Sequence, residues 1–299
     1  MIAGTDTQPL KPLEMETQEP DIAPRRVKVV RPPSFSWQGL ADDLRMLVAY
    51  RDLIYTLGLH RIKVRYKQSV LGVAWAIVQP LSMMLVYGLI FAMIVRVPTG
   101  GVPYAVFAYA GLLPWLYLST SLTNATGGLV SHNQLVTKVY FPREIISLTY
   151  VMAALFDFLV ASTVLAGLML YHRVPLTANA LWVVPIMIVL SLFISGAALA
   201  LSAAQVRFRD IGVALPLLLQ LWMFATPVVY PMSAVPAQLQ PLFKLNPLSG
   251  LIENFRRVLL TSDKPDFVML ALSAALSLGL FALAYIYFKR VESTMADII

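Results

Sequence analysis

The sequence predicts an all-α integral membrane protein with six transmembrane helices. Hydrophobic residues make up 58% of the chain and charged residues only 13%, whereas soluble domains have about 25% charged residues. Five long stretches contain no Asp, Glu, Lys or Arg: 68–95, 97–137, 174–206, 211–243 and 267–288. A sixth stretch, 145–172, contains a single acid, Asp157. Each stretch exceeds the roughly 20 apolar residues that cross a bilayer core about 30 Å thick.

The uncharged stretches divide the chain into four predicted parts. Residues 1–35, which are rich in Pro and charge, predict a disordered cytoplasmic tail. Residues 36–68 predict an amphipathic interface helix and a basic collar, residues 69–290 the six-helix transmembrane domain, and residues 291–299 a cytoplasmic C-terminal tail. We place the spans at about 70–95, 104–126, 146–170, 182–206, 211–230 and 267–288.

The distribution of basic residues predicts the orientation of the spans. Six spans put both termini on one side, and seventeen of the 23 Lys and Arg residues then lie on that side, against six on the other. Because cytoplasmic segments carry the excess of Lys and Arg, we predict that both termini are cytoplasmic. The net charge of +7 thus reflects membrane topology, and no nucleic-acid partner is expected.

The N-terminal arm carries an amphipathic pattern followed by a run of cations. Ser36 is expected to cap a helix that starts near Trp37. Apolar residues recur at three- and four-residue steps, which predicts a helix parallel to the membrane plane: Leu40, Leu44, Leu47, Val48, Ile54 and Leu57. The basic collar consists of Arg61, Lys63, Arg65 and Lys67. It either anchors the chain to anionic lipid, at about 1 kcal/mol per cation, or attracts the diphosphate of a substrate at a lateral entrance.

The segment between the second and third spans predicts a short cytoplasmic helix. Gly127 and Gly128 are expected to stop the second span, and Pro142 suits the first turn of the third. Residues 129–140 lie between them and predict one short helix. Such a helix either docks on a soluble partner and transmits its motion or simply connects two spans.

The segment 231–266 predicts an unusual outer loop. It contains Pro231, Pro236, Pro241 and Pro247, yet it is rich in Leu, Ile and Phe. No part of it is both long and apolar enough to span, which is typical of re-entrant or interfacial helices. It forms either an external cap or a pair of half-helices at a pore exit, with Asn246, Pro247, Phe255 and Arg256 as the candidate exit residues.

The spans contain no recognisable catalytic set. The chain lacks the nucleotide-binding pattern G-x-x-x-x-G-K-[ST] and the zinc pattern H-E-x-x-H, and it has no cysteine. We therefore assign it no catalytic residue, metal or cofactor. Active transport would then need ATP hydrolysis by another polypeptide.

Asp157 is the one acid within a predicted span, so it must face protein or water. It either bonds a neighbouring helix or lines a conduit or dimer seam. Aromatic residues are spread through the spans, and most are expected in interfacial belts or packing. Because sugar rings stack on aromatic faces, the candidate conduit-lining residues are Trp115, Tyr117, Phe156, Asp157, Trp222, Phe224 and Tyr230.

Several motifs occur in an order that resembles a known family. They are R-Y-K-Q-S-V-L-G-V-A-W at 65–75, Q-P at 79–80, G-L-L-P-W at 111–115, K-V-Y-F-P-R-E at 138–144, F-R-D-I at 208–211, T-P-V-V-Y-P at 226–231 and L-N-P-L at 245–248. Together they resemble ABC-transporter permeases of the type-2 exporter class, above all the O-antigen, polysaccharide and teichoic-acid exporters. The resemblance covers about residues 38–290.

This resemblance implies a homodimer with two separate ABC ATPase subunits, which use ATP and Mg, in the bacterial cytoplasmic (inner) membrane. It implies a coupling helix formed by Asn133, Gln134, Leu135, Val136, Thr137, Lys138, Val139 and Tyr140. It also implies re-entrant helices between spans five and six. The implied substrate is a polyprenyl-diphosphate-linked glycan, typically on undecaprenyl diphosphate.

The sequence therefore predicts the transmembrane subunit of an ATP-driven exporter of lipid-linked polysaccharide of the O-antigen type. One alternative keeps the architecture and exports capsule polymer, teichoic acid, a lipid or a drug. Another is an ATP-independent scaffold or channel within a glycan synthesis complex. An enzyme that modifies glycans within the membrane is disfavoured, because the spans lack a catalytic set.

Overall fold

The structure is a computed structural model that describes residues 49–67, 69–94, 99–138 and 141–298. The predicted tail 1–35 and the predicted helix start near Trp37 lie outside these residues. The described part of the chain is helical and contains no strand, and several of its helices are apolar enough to cross a membrane. The predicted all-α membrane fold is confirmed.

Ten α-helices occur in the described residues. They are α1 Arg51–Lys67, α2 Trp75–Tyr87, α3 Tyr104–Ser131, α4 Asn133–Lys138, α5 Glu144–Tyr171, α6 Val183–Arg207, α7 Ile211–Phe224, α8 Gln240–Leu245, α9 Pro247–Arg256 and α10 Phe267–Ile298. Short 3₁₀ turns occupy Gly72–Ala74, Ala178–Trp182 and Met232–Ala234. π-Helical turns extend α2 over Gly88–Ile94 and α9 over Arg257–Thr261.

Five segments within the described ranges are long and apolar enough to cross a membrane. They are Gly72–Met93, Tyr104–Ser131, Glu144–Tyr171, Ala178–Arg207 and Phe267–Glu292, which match predicted spans one to four and six. α7 has 14 residues, or about 21 Å at 1.5 Å per residue, which is less than a bilayer core of about 30 Å. Of the predicted fifth span, 211–230, only the part up to Phe224 is an α-helix. With five described spans long enough to cross, a sixth membrane crossing at this position stays a prediction.

Two helices extend beyond their predicted ends. α3 continues through Gly127 and Gly128 to Ser131, so the prediction that these glycines stop the helix is wrong. Gly128 instead allows close packing, because a Cβ atom there would lie 2.4 Å from the ring of Tyr150 on α5. α10 continues to Ile298, so the residues predicted as a separate C-terminal tail extend the last helix.

α3 is the central helix of the bundle. Of its 28 residues 18 are buried, and it packs against α2, α5, α6, α7 and α9. α7 buries only Leu215, Leu219 and Met223, which recur every four residues on one face. α2 buries only Pro80 and Met84. Most apolar side chains of α7 therefore point outward, as do Trp75, Leu85 and Val86 of α2, which is expected for helices that face lipid or a second protein.

α1 lies along the start of α5. Tyr50, Leu53, Ile54 and Leu57 pack against a buried cluster that includes Ile145 at the start of α5. This cluster lies at the end of the bundle that carries α4, the α6–α7 turn and the last turns of α10, which we call the α4 end. The apolar face predicted for the N-terminal arm is thus covered by protein over the described residues.

Candidate functional site

A cleft of about 330 Å³ lies between α1, α2, α3 and α5. Its lining combines polar and aromatic side chains, which include Arg65, Tyr66, Trp75, Gln79, Thr120, Asn124, Asp157 and Phe158. Polar side chains among apolar helices are costly unless they bind a ligand or one another. A cleft of this size that combines both kinds of side chain is typical of a ligand site.

Asp157, near the middle of α5, is held by two residues of α1. Arg65 Nη1 donates to Asp157 Oδ2, and Tyr66 Oη donates to Asp157 Oδ1. The side chains of Arg65 and Asp157 remain 29% and 19% exposed. Asp157 therefore bonds a neighbouring helix, as one of the two interpretations predicted, and it also borders the cleft.

Burial shapes the electrostatics of α1 where it meets α5. It raises the pKa of the Tyr66 phenol well above its usual range, and the hydrogen bond to Asp157 raises it further, so Tyr66 stays a proton donor. Burial lowers the pKa of the Arg61 guanidinium, which remains charged because arginine starts from a pKa above about 12. Arg61 Nε donates to Thr149 Oγ1 at 2.7 Å, and its guanidinium carbon lies 3.6 Å from the ring centroid of Tyr150.

The four cations of the basic collar divide into two pairs. Residues four apart share one face of a helix. Arg61 and Arg65 lie on the face that contacts α5, whereas Lys63 and Lys67 are exposed and have no partner among the described residues. Two cations thus hold the arm to the bundle and two remain free to attract an anion. The attraction of a substrate diphosphate stays a prediction.

α4 covers most of the predicted coupling helix. It spans Asn133–Lys138, while Val139 and Tyr140 lie outside the described residues. Asn133 and Gln134 are exposed. The first turn of this short helix between two spans thus offers exposed polar side chains to another protein, but its coupling role stays a prediction.

A buried polar network follows α4 directly. The Glu144 carboxylate is completely buried and accepts from Lys289 Nζ at 2.7 Å and from Tyr285 Oη at 3.3 Å. Lys289 also contacts Glu292 at 3.0 Å, and Glu292 accepts from the backbone N–H of Arg143 at 3.1 Å. The network ties the start of α5 to α10. Sequence reasoning missed it because the partners are 141 to 149 residues apart.

At the opposite end of the bundle, Arg256 anchors α9. Its side chain is buried, and Nη1 donates to the carbonyl oxygens of Pro227 at 2.8 Å and Tyr230 at 3.5 Å, while Nη2 donates to that of Val228. The guanidinium carbon also lies 3.9 Å from the ring centroid of Phe107. These carbonyls become free where α7 ends, so one arginine of α9 satisfies the non-helical backbone after α7.

Asn246 and Tyr104 complete this anchor. Asn246 Nδ2 donates to Thr226 Oγ1 at 2.8 Å, and its Oδ1 accepts from the first turn of α9, which starts at Pro247. Tyr104 Oη donates to the carbonyl of Val229 at 2.8 Å. α8 and α9 are thus two short helices joined at one residue, as predicted for the outer segment. Their re-entry into a membrane stays a prediction.

The remaining predicted conduit-lining residues and the predicted exit residue Phe255 occupy different environments. Trp115, Tyr117 and Phe255 are buried within the chain, Phe156, Trp222 and Tyr230 are partly exposed, and Phe224 is 48% exposed. Trp115 packs edge-on against Trp222 with ring centroids 6.2 Å apart. Tyr117 borders the cleft, whereas Phe156, Phe224 and Tyr230 do not line it.

Comparisons with known proteins agree with the motif pattern. The profile of the ABC-2 type transporter family matches residues 52–260, from α1 to the turn after α9. An O-antigen export system permease protein, RfbA, from Myxococcus xanthus is 32% identical over 257 residues, which cover 85% of this chain and 98% of the relative. An RfbA from Klebsiella pneumoniae is 29% identical over 221 residues, with coverage of 74% and 81%.

A polysialic acid transport protein, KpsM, from Escherichia coli is 25% identical over 249 residues, which cover 81% of this chain and 94% of the relative. The family match includes α1, the residues that line the cleft, α4 and α9. The chain therefore belongs to the ABC-2 type transporter family and contains its membrane-spanning permease domain.

Proposed function

We propose that the chain is the transmembrane subunit of an ATP-driven exporter that moves a polysaccharide linked to undecaprenyl diphosphate across the bacterial cytoplasmic membrane. Two copies form a homodimer, and two ABC ATPase subunits hydrolyse ATP with Mg. The polar cleft that contains Arg65 carries this proposal, because a sugar-bearing diphosphate needs both charge and hydrogen-bonding groups. The names of the three relatives support a polysaccharide cargo.

The energy for export comes from the partner subunits. The chain has no nucleotide-binding pattern. Exposed Asn133 and Gln134 make α4 the docking surface for an ATPase at the predicted cytoplasmic side. When ATP closes the ATPase pair, α4 moves, and the contact of Glu144 with Lys289 passes that movement to α10.

The test of this function is purification of the chain with its partner ATPase. We expect the complex to contain two copies of each subunit and its ATP hydrolysis to be stimulated by lipid-linked glycan. An ATP-independent scaffold would instead purify without an ATPase. A complex whose hydrolysis ignores glycan lipids would contradict the proposed cargo.

Neutralising the exposed cations of α1 should weaken substrate capture. Lys63 and Lys67 point away from α5 and have no partner among the described residues, and each juxtamembrane cation attracts an anionic headgroup by about 1 kcal/mol. In Lys63→Gln/Lys67→Gln we expect the glycan-lipid concentration for half-maximal ATPase stimulation to rise by about 10- to 30-fold, with the complex intact.

Lys264→Gln is the control for this variant, since Lys264 is an exposed lysine at the opposite end of the bundle. It should leave the half-maximal concentration unchanged. If the double variant behaves like this control, Lys63 and Lys67 have no part in capture.

A capsule polymer is the second candidate cargo, because the chain also resembles KpsM over 94% of that protein's length. The ATPase assay separates the two cargoes when polysialic acid and a diphosphate-linked glycan are compared. Stimulation by the diphosphate-linked form favours the O-antigen type.

A further inference from the structure

We propose that Asp157 makes the cleft selective for an anionic headgroup that also carries sugar hydroxyls. A ligand phosphate that binds Arg65 comes close to the Asp157 carboxylate, which repels it, and the ligand's hydroxyls offset this repulsion by donating hydrogen bonds to that carboxylate. The inference rests on the proposed function and adds the chemical group that the cleft reads, a glycosyl phosphate.

The first support is the geometry of the pair. Arg65 is the only one of the four collar cations that lines the cleft, and its hydrogen-bond acceptor among the described residues is Asp157. Both oxygens of that carboxylate are used by α1, one by Arg65 and the other by Tyr66. A phosphate that binds the remaining N–H groups of Arg65 in the cleft therefore lies beside the Asp157 carboxylate, and the two anions repel each other.

The second support is the rest of the lining. Thr120 and Gln79 have no side-chain hydrogen-bond partner among the described residues, and both face the cleft. The amide of Asn124 donates to its own helix at 2.8 Å, which leaves its oxygen to accept. Trp75, 51% exposed, stands at the same cleft and offers an aromatic face. This set suits a hydroxylated ring next to an anion.

Charge alone would select poorly in a membrane. Anionic phospholipids surround the protein in large excess, and any of their phosphates can approach an unpaired arginine. A phosphate without neighbouring hydroxyls brings a second anion beside the Asp157 carboxylate and gives that carboxylate no new hydrogen-bond donor, which is unfavourable in a partly buried site. Sites that hydrogen-bond a ligand's hydroxyl reject analogues that lack it. The Arg65–Asp157 pair therefore disfavours the binding of phospholipid phosphates that carry no neighbouring hydroxyl.

The test compares two probes on the full complex of permease and ATPase in phosphatidylcholine nanodiscs. One probe is radiolabelled undecaprenyl diphosphate, and the other is the same lipid carrying one N-acetylglucosamine. We expect the sugar-bearing probe to bind wild type at least tenfold more tightly. Phosphatidic acid should compete poorly with it. Equal binding of the two probes by wild type would overturn the proposal without requiring any variant.

Asp157→Asn removes the competing charge and keeps the side-chain size. The sugar-free probe should then bind more tightly, and the preference for the sugar-bearing probe should fall to about threefold or less. Asp210→Asn is the control, because Asp210 is an exposed acid at the α4 end and outside the cleft. An unchanged preference in folded Asp157→Asn would overturn the role of Asp157.

The outcomes also separate this inference from the proposed function. If both probes bind equally and both stimulate ATP hydrolysis, the selectivity is wrong while lipid-linked export stands. If neither probe binds and neither stimulates hydrolysis, both proposals fall.

Discussion

Replacing Arg256 with Met is expected to remove most of the folded protein from the membrane. Arg256 is only 3% exposed, and its guanidinium donates hydrogen bonds to the carbonyls of Pro227, Val228 and Tyr230. Each buried carbonyl that loses its partner costs about 1–3 kcal/mol, and proteins are typically stable by only about 5–15 kcal/mol. Fluorescence-detected size exclusion of a tagged chain measures the folded amount.

The neighbouring arginine provides a matched control. Arg257 is exposed and donates to the carbonyl of Lys264 at 2.8 Å, so Arg257→Met should leave the folded amount within about twofold of wild type. Arg256→Lys keeps the charge but loses the fork that reaches several carbonyls, and it should give an intermediate amount. Wild-type amounts of folded Arg256→Met would show that the backbone after α7 does not depend on this side chain.

The backbone at the end of α7 explains why folding is expected to depend on Arg256. Non-helical backbone at membrane depth is tolerated only where protein or water satisfies it. Four successive residues after Thr226 contribute carbonyl acceptors to Arg256 and Tyr104. Gly111 leaves the space for this anchor, because a Cβ atom there would lie 1.9 Å from Arg256 Nη2 and 2.2 Å from the carbonyl oxygen of Val228.

Replacing Arg65 alone is expected to destabilise the bundle more than replacing both Arg65 and Asp157. Arg65→Met leaves the Asp157 carboxyl group with only Tyr66 as a hydrogen-bond partner. Breaking a buried pair costs about 3–5 kcal/mol, and we expect about 1–3 kcal/mol here because solvent reaches the cleft. The double variant Arg65→Met/Asp157→Leu should recover most of the lost stability. In detergent its melting temperature should therefore be higher than that of Arg65→Met.

The same double variant separates stability from transport. It keeps an intact α1–α5 contact but has no cation in the cleft, so the complex should assemble while glycan-stimulated ATP hydrolysis is lost. Additive effects of the two single changes on melting temperature would contradict direct coupling between the residues. Full stimulation of the double variant would remove the cleft from the substrate path.

Composition and hydropathy predicted the membrane fold because the spans are continuous and nearly uncharged. The fifth stretch shows the limit of that approach. Residues 211–243 carry no charge, yet α7 ends at Phe224. The non-helical backbone after α7 contains Pro227 and is bound by the buried Arg256. Arg256 lies 28 residues after Val228 and 29 after Pro227, whose carbonyls it contacts. Hydropathy contains no signal for such a tertiary contact.

The site was predictable in part. Asp157 was identified as a lone acid in a span, and the collar as a run of cations, but their pairing joins residues 92 positions apart. Helical spacing did contain one usable signal, because Arg61 and Arg65 are four residues apart and Lys63 and Lys67 lie on the other side of the same helix. The Glu144–Lys289 contact had no such signal, since its two residues lie 145 positions apart on α5 and α10.

In the proposed function this chain, with a partner ATPase, moves a diphosphate-linked glycan across a bilayer. The most direct measurement is transport by the purified complex in proteoliposomes, followed with radiolabelled undecaprenyl-diphosphate glycan and a glycosidase that reaches only one face. The account predicts that glycan changes face only with hydrolysable ATP and the ATPase present. Movement without ATP, or ATP hydrolysis without movement of this lipid, would contradict it.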